Sequence, residues 1–261
     1  VELCKVSLWL EAHVPGEPLN FLDHHIKCGD SIVGLAHKEE LLNGIPNEAF
    51  KKLTGDDSDV VKRLIKRNRG EVTARKQIPL NFENSLNTDL KDIADLINKF
   101  NAMPERTPEE VATKQEEYSK LTSGNIWWRL KILADIQIAQ FFIPKTKENE
   151  VKLITDAEYR EYLAGQQIIG PATSEAISTA KKRGFFHWFL EFSEVFLEGG
   201  FDCMISNPPF LGGSKISSFM GKEYLNFIYK EFHPIGGQCD LVGYFFRRAY
   251  DLLNRKGFLS F

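Results

Sequence analysis

A long helix-patterned span separates two short stretches of α/β grammar, and this arrangement narrows the folds open to the chain. Residues 35–200 far exceed an ordinary long loop of roughly 12–15 residues, and their apolar periodicity is helical. Trp127, Leu130, Ala134, Ile138 and Phe141 form one stripe. Ile126, Leu133 and Ile136 widen it until most of the circumference is apolar, which predicts a central, buried helix. Thr155 or Asp156 ahead of Glu158 marks a helix start, and Pro171 opens another that ends at Lys181-Lys182-Arg183-Gly184.

The flanking stretches read differently. At the start, Leu3, Val6 and Leu10 sit at helical spacing, residues 13–18 form a breaker-rich loop, and residues 21–30 read as a short strand ending in a Gly29-Asp30 turn. Near the end, Phe201-Asp202-Cys203-Met204-Ile205-Ser206 is an apolar run fit for a buried strand. Tandem prolines at Pro208 and Pro209 then forbid further ladder pairing. Asp240 is placed to cap a helix with Leu241, Phe245, Ala249 and Leu252 on one stripe, closed by Gly257 before the strand-like run Phe258-Leu259-Ser260-Phe261. Opening on Val1 inside a helix and stopping within a strand, the sequence is expected to be a fragment.

With 261 residues, 43% hydrophobic and 26% charged, the chain can bury a sizeable core. No apolar run approaches the roughly 18 residues of a membrane span, and no signal pattern is seen, so a cytoplasmic protein without membrane contact is expected. Cys4, Cys28, Cys203 and Cys239 lie far apart, as reduced thiols do. The net charge of -3 is not that of a protein wrapping nucleic acid by bulk charge, so any such contact must be local. The one dense basic run, Lys62, Arg63, Lys66, Arg67, Arg69, Arg75 and Lys76, is either a phosphate-facing patch or, as is commoner, a solvated face diluted by Asp56, Asp57, Asp59 and Glu71. His24 and His25 lack spaced partners for a metal, and no metal site is expected.

Asn207-Pro208-Pro209-Phe210 is the feature richest in chemistry. Alone it is a turn; at the C-terminal end of a strand in an α/β sheet it stands where such folds place ligands. It resembles the NPP-aromatic motif of S-adenosyl-L-methionine-dependent DNA amino-methyltransferases that modify adenine N6. Leu19-Asn20-Phe21-Leu22-Asp23, Cys28-Gly29-Asp30-Ser31-Ile32-Val33-Gly34, the aromatic run from Phe186 to Phe196, and Gly200-Phe201-Asp202 extend the likeness to the methylase part of type IIG restriction-modification enzymes.

The resemblance implies an α/β fold, a partial Rossmann-like methyltransferase sheet with a large helical insertion. Residues 1–37 and 186–261 would be the two core parts and 38–185 the insertion. A purine amine is a poor nucleophile because its lone pair is delocalised. The Asn207 side-chain oxygen and Pro208 carbonyl would accept its hydrogens, Pro209 would stiffen the loop, and Phe210 would stack on the extruded base. Asp30 would accept from the cofactor's adenine amine with Ile32 packed on its ring, although such an Asp also caps its own turn. Phe245 either lines the pocket or belongs to the core.

The expected partner is double-stranded DNA with a flipped adenine, and target-recognition and possible nuclease domains would belong to the same parent chain. The family's glycine-rich cofactor turn and ribose-holding acid would precede Val1, so the segment alone is expected to be inactive. Cytosine N4 methylation, or a catalytically silent module that binds DNA or a partner, are the alternatives. No Pro-Cys pair supports cytosine C5 chemistry.

Overall fold

Capping and burial shape the helical span as its periodicity predicts. The structure, a computed structural model, describes residues 1–74, 80–236 and 238–261, the side chains of residues 80–87 excepted. After α1 (Glu2–Glu11) come α2 (Ser58–Thr73), α3 (Leu80–Asn101), α4 (Pro108–Ser123), α5 (Asn125–Ala139), α6 (Asp156–Leu163) and α7 (Pro171–Arg183). The Asp57 carboxylate accepts from the backbone N–H groups of Asp59 and Val60 to start α2, and Thr107 with Pro108 starts α4. Thr155 precedes α6, and Gly184 ends α7 in the left-handed region.

Helix α5 is the central one. It buries Leu130 and every residue from 132 to 139, among them Asp135 and Gln137. A helix so enclosed carries polar groups only where they find partners. Gln137 Nε2 donates to the carbonyls of Glu40 (2.8 Å) and Gly44 (3.0 Å), while Asp135 meets Lys131 Nζ at 2.6 Å and His187 Nε2 at 3.0 Å.

The chain continues through α8 (Trp188–Glu191), α9 (Ser193–Leu197), β1 (Phe201–Ile205), α10 (Gly213–Met220), α11 (Lys222–Glu231), α12 (Leu241–Leu252) and β2 (Leu253–Ser260). Strands β1 and β2 pair in parallel, with Phe201 opposite Leu253 and Ile205 opposite Ser260. The three helices between them make the crossover that a parallel pair requires. One contiguous core joins Ile32, Val33 and Leu35 to Leu133 and Ile136 of α5 and to Phe227 and Tyr244 of α11 and α12.

The chain also leaves and re-enters this core at one seam. Phe186 N–H donates to Val33 O and Trp188 N–H to Leu35 O, both at 2.9 Å, and Asp30 forms an isolated parallel bridge with Phe185. Gly34 sits at φ +154°, where an added Cβ would lie 2.0 Å from Phe186 O, so only glycine fits the crossing.

Four expectations need correction. Residues 21–30 are not a strand: Leu22 O takes the N–H groups of His25 and Ile26, Phe21 N–H goes to Glu105, and Phe21 packs on Phe100 and Tyr118, so few donors remain for a ladder. Helix α1 forms, but Leu3, Val6 and Leu10 face solvent and Lys5 is the residue it buries, tied to Asp23 at 2.6 Å. In β1, Cys203 and Ile205 are exposed beside exposed Phe258, because among the described residues the sheet has only two strands and this face is uncovered. Gly257 lies inside β2 rather than at the end of α12. A Cβ there would meet Phe201 O at 2.8 Å, so glycine permits a close strand approach.

Candidate active site

The loop at residues 207–210 begins where β1 ends, and its two ends are fixed by different elements. At its start, Ser206 N–H donates to Ser260 O of β2 (3.0 Å), the last bond before the prolines. Beyond it, Leu211 N–H donates to the Asp240 carboxylate (3.1 Å), and Leu211 O accepts from Leu241 N–H (2.9 Å). The same Asp240 oxygen accepts from Val242 N–H at 3.1 Å, so the cap of α12 also clamps the loop. Between these anchors Pro208 is buried, while Asn207 and Pro209 are exposed and Phe210 is 77% exposed. The tetrapeptide is therefore an outward-facing ledge anchored at both ends: an amide and a ring reach solvent above a buried proline.

The turn at residues 30–34 is held just as closely. Asp30 Oδ1 accepts from the N–H groups of Ile32 (3.0 Å) and Val33 (3.4 Å), and Tyr224 of α11 donates its hydroxyl to the same carboxylate. Burial pushes the Asp30 carboxyl above the usual carboxylate range, opposed by those N–H groups, by Tyr224 and by Arg248. Burial, and then Asp30 itself, raises the Tyr224 hydroxyl, keeping it a donor. Ile32, expected to pack on a cofactor ring, is instead wholly buried. Its N–H is held by Asp30 and its carbonyl by Arg248, which leaves its side chain in the core.

Phe245 is half-buried at the edge of the core, because the buried stripe of α12 runs through Leu241, Tyr244, Arg248 and Leu252 rather than through it. Arg248 was not singled out by the sequence reading. The available signal was a charged residue seven positions after Leu241 on an apolar stripe. Its Nη2 lies 3.1 Å from Ile32 O, Gly34 O and Glu231 Oε1, and its guanidinium covers the Phe232 ring. Nearby, Glu40 takes the N–H groups of Ala36 and His37; burial and the neighbouring Glu231 push its carboxyl up to about 7 despite Arg248.

Helix α12 thus joins the two candidate half-sites, with Asp240 on the loop and Arg248 on the turn. They stand eight positions apart, about 12 Å along the axis at 1.5 Å per residue. As a seat for S-adenosylmethionine the residues fit in part. Asp30 offers a half-buried carboxylate and Phe245 a partly open ring, whereas Ile32 has no free face. A cavity of about 230 Å³ between His37, Leu90, Phe189, Ser193 and Phe196 takes in neither the loop nor Asp30.

In the basic run, Arg63 pairs with Glu150 and Arg67 with Glu71, both at 2.8 Å; Arg75 and Lys76 lie outside the described residues. His24 stacks on Phe21, lies tilted against His25 and meets Phe100 edge-on, an aromatic packing role. No helix among the described residues is long and apolar enough to cross a membrane.

Compared with known families, residues 1–261 match the family described as Eco57I restriction-modification methylase. No curated protein and no solved structure matches the chain.

Proposed function

The chain belongs to the Eco57I restriction-modification methylase family, and from that premise we propose that it carries the amine-binding loop of an S-adenosylmethionine-dependent DNA adenine-N6 methyltransferase of the type IIG kind. The observation that carries the reading is the ledge at residues 207–210: exposed Asn207 and Phe210, buried Pro208, and both ends tied to β2 and to α12. In this reading the two core parts, residues 1–37 and 186–261, belong to a Rossmann-like sheet, and residues 38–185 are its helical insertion.

The Asn207 side-chain oxygen and the Pro208 carbonyl accept the two hydrogens of an adenine amine. Holding both hydrogens favours the pyramidal nitrogen, whose localised lone pair attacks in line. Proline stiffness keeps the carbonyl from reorganising as charge develops. Phe210 supplies a face for the base once it has left the DNA stack. Asp30 accepts from the cofactor's adenine amine, and Phe245 of α12 lines the pocket. When bound, S-adenosylmethionine would supply a methyl group from its sulfonium, a neutral thioether leaving as the N–C bond forms, and the methylated nitrogen would release one proton to solvent. Target-recognition and nuclease segments, if the parent chain has them, act on the same DNA.

Nucleoside analysis tests the reading. Duplex DNA is incubated with the full-length protein and S-adenosylmethionine, digested, and separated by mass spectrometry. N6-methyladenine is expected. N4-methylcytosine would transfer the same loop chemistry to the other base, and no methylated nucleoside from folded protein would overturn the assignment.

A further inference from the structure

The carbonyls of residues 31–34 alternate between two elements. Ser31 O accepts from Trp188 Nε1 and Val33 O from Phe186 N–H, both at 2.9 Å, along the seam. Ile32 O and Gly34 O accept instead from Arg248, at 3.1 Å each. The seam backbone serves one side of this turn; on the other, among the described residues, no named strand pairs with it, and the guanidinium takes the place of a neighbouring backbone.

Arg248 is a poor choice if stability were its only purpose. It is 3% exposed, its Nε has no hydrogen-bond partner among the described residues, and its ion pair with Glu231 lies in the interior. A buried pair of this kind is often replaced by apolar side chains without loss. What an apolar side chain cannot do is hold two carbonyls of one turn in fixed positions. Helix α12 places that grip in the same rigid body as Asp240, whose carboxylate holds Leu211 at the end of the candidate loop.

We infer that Arg248 is a positioning residue for methyl transfer: by gripping the carbonyls of Ile32 and Gly34 from the helix whose cap holds the 207–210 loop, it sets the separation between the cofactor-side turn and the amine-binding ledge. The inference rests on the function proposed above. In-line transfer demands reacting atoms about 3–3.5 Å apart, and a shift near 1 Å costs about a hundredfold in rate.

The test compares Arg248→Lys and Arg248→Met with wild type and with Lys114→Met, in the full-length protein. Lys114→Met breaks a different buried ion pair, Lys114 to Glu105 at 2.6 Å, and serves as a control for destabilisation. Each variant is measured for thermal midpoint, kcat in single turnover per folded molecule, and KM for S-adenosylmethionine and for DNA. Lysine keeps the charge and one terminal donor nitrogen, but it is the shorter side chain and falls short of the point from which Nη2 reaches both carbonyls. Arg248→Lys is expected to lower kcat about 10- to 100-fold and raise KM for S-adenosylmethionine, with KM for DNA unchanged. Arg248→Met is expected to do the same, and Lys114→Met to lower only the thermal midpoint. If both Arg248 variants behave like Lys114→Met, the positioning role is refuted while the function stands. If the folded wild type transfers no methyl group at all, the function and this role fall together.

Discussion

Asp240→Ala isolates the double duty of one carboxylate. The substitution removes the N-cap of α12, which costs about 1 kcal/mol, and a favourable charge at a helix N-terminus, about 0.5 kcal/mol. It also leaves the Leu211 N–H, now bonded at 3.1 Å in a partly buried setting, without an acceptor. An orphaned donor there costs about 1 kcal/mol, the low end for buried groups. The sum is about 2.5 kcal/mol. Asp240→Asn keeps a side-chain oxygen for both Leu211 and Val242 and is expected to lose only the charge contribution. Urea unfolding with an unchanged m-value measures both variants. Methyl transfer per folded molecule should fall in the alanine variant, because the loop loses one anchor, and be largely retained in the asparagine variant. Equal damage from the two substitutions, or an alanine variant as stable as wild type, would refute the clamp.

Phe210→Ala should leave stability within about 0.5 kcal/mol, since the ring is 77% exposed, yet weaken productive DNA binding by about 1–3 kcal/mol of lost stacking; unchanged transfer kinetics would count against the stacking role. Gly34→Ala forces a side chain into 2.0 Å contact with Phe186 O at φ +154° and should cost about 4 kcal/mol from strain and overpacking together, seen as lost soluble yield or a steep fall in thermal midpoint. Burial, then His25 and Lys114, hold His24 down at about 4 from an ordinary 6.5. The unfolded chain therefore binds the extra proton first, so this contribution is complete above pH 6.5 and is lost as pH falls towards 4. His24→Phe should flatten that part of the stability profile, leaving the smaller slope from His25, whose own value burial also lowers; a profile identical to wild type would remove His24 from the account.

Much of the helical architecture was legible because its signals are local. Pro171 and Gly184 mark helix ends by backbone chemistry that does not depend on the rest of the fold, and Thr155 stands at the start of α6 although its side chain makes no capping bond. The all-round apolar pattern of α5 likewise needs no tertiary context to predict burial. Residues 21–30 misled because Phe21, Leu22 and Ile26 suit a strand, yet Phe21 packs on Phe100 of α3 and Tyr118 of α4, far away in sequence. The cap at Asp240 was readable, but its bond to Leu211 was not, since it joins residues 29 positions apart. Arg248 was missed for the same reason: its acceptors lie 214 and 216 positions upstream. The motif at residues 207–210 could be named from sequence, but whether it faced outward depended on which of its residues the fold buries, and only Pro208 is buried.

Everything turns on the Asn207 amide as the acceptor that readies a base for alkylation. Single-turnover methyl transfer to duplex DNA by Asn207→Ala, with thermal midpoint and DNA affinity measured alongside, tests this most directly. Because Asn207 is exposed, the fold and the binding should persist while the rate drops by about a hundredfold or more, the scale for losing one preorganised hydrogen-bonding group at a reacting centre. A folded, DNA-binding variant that methylates as fast as wild type would contradict the account.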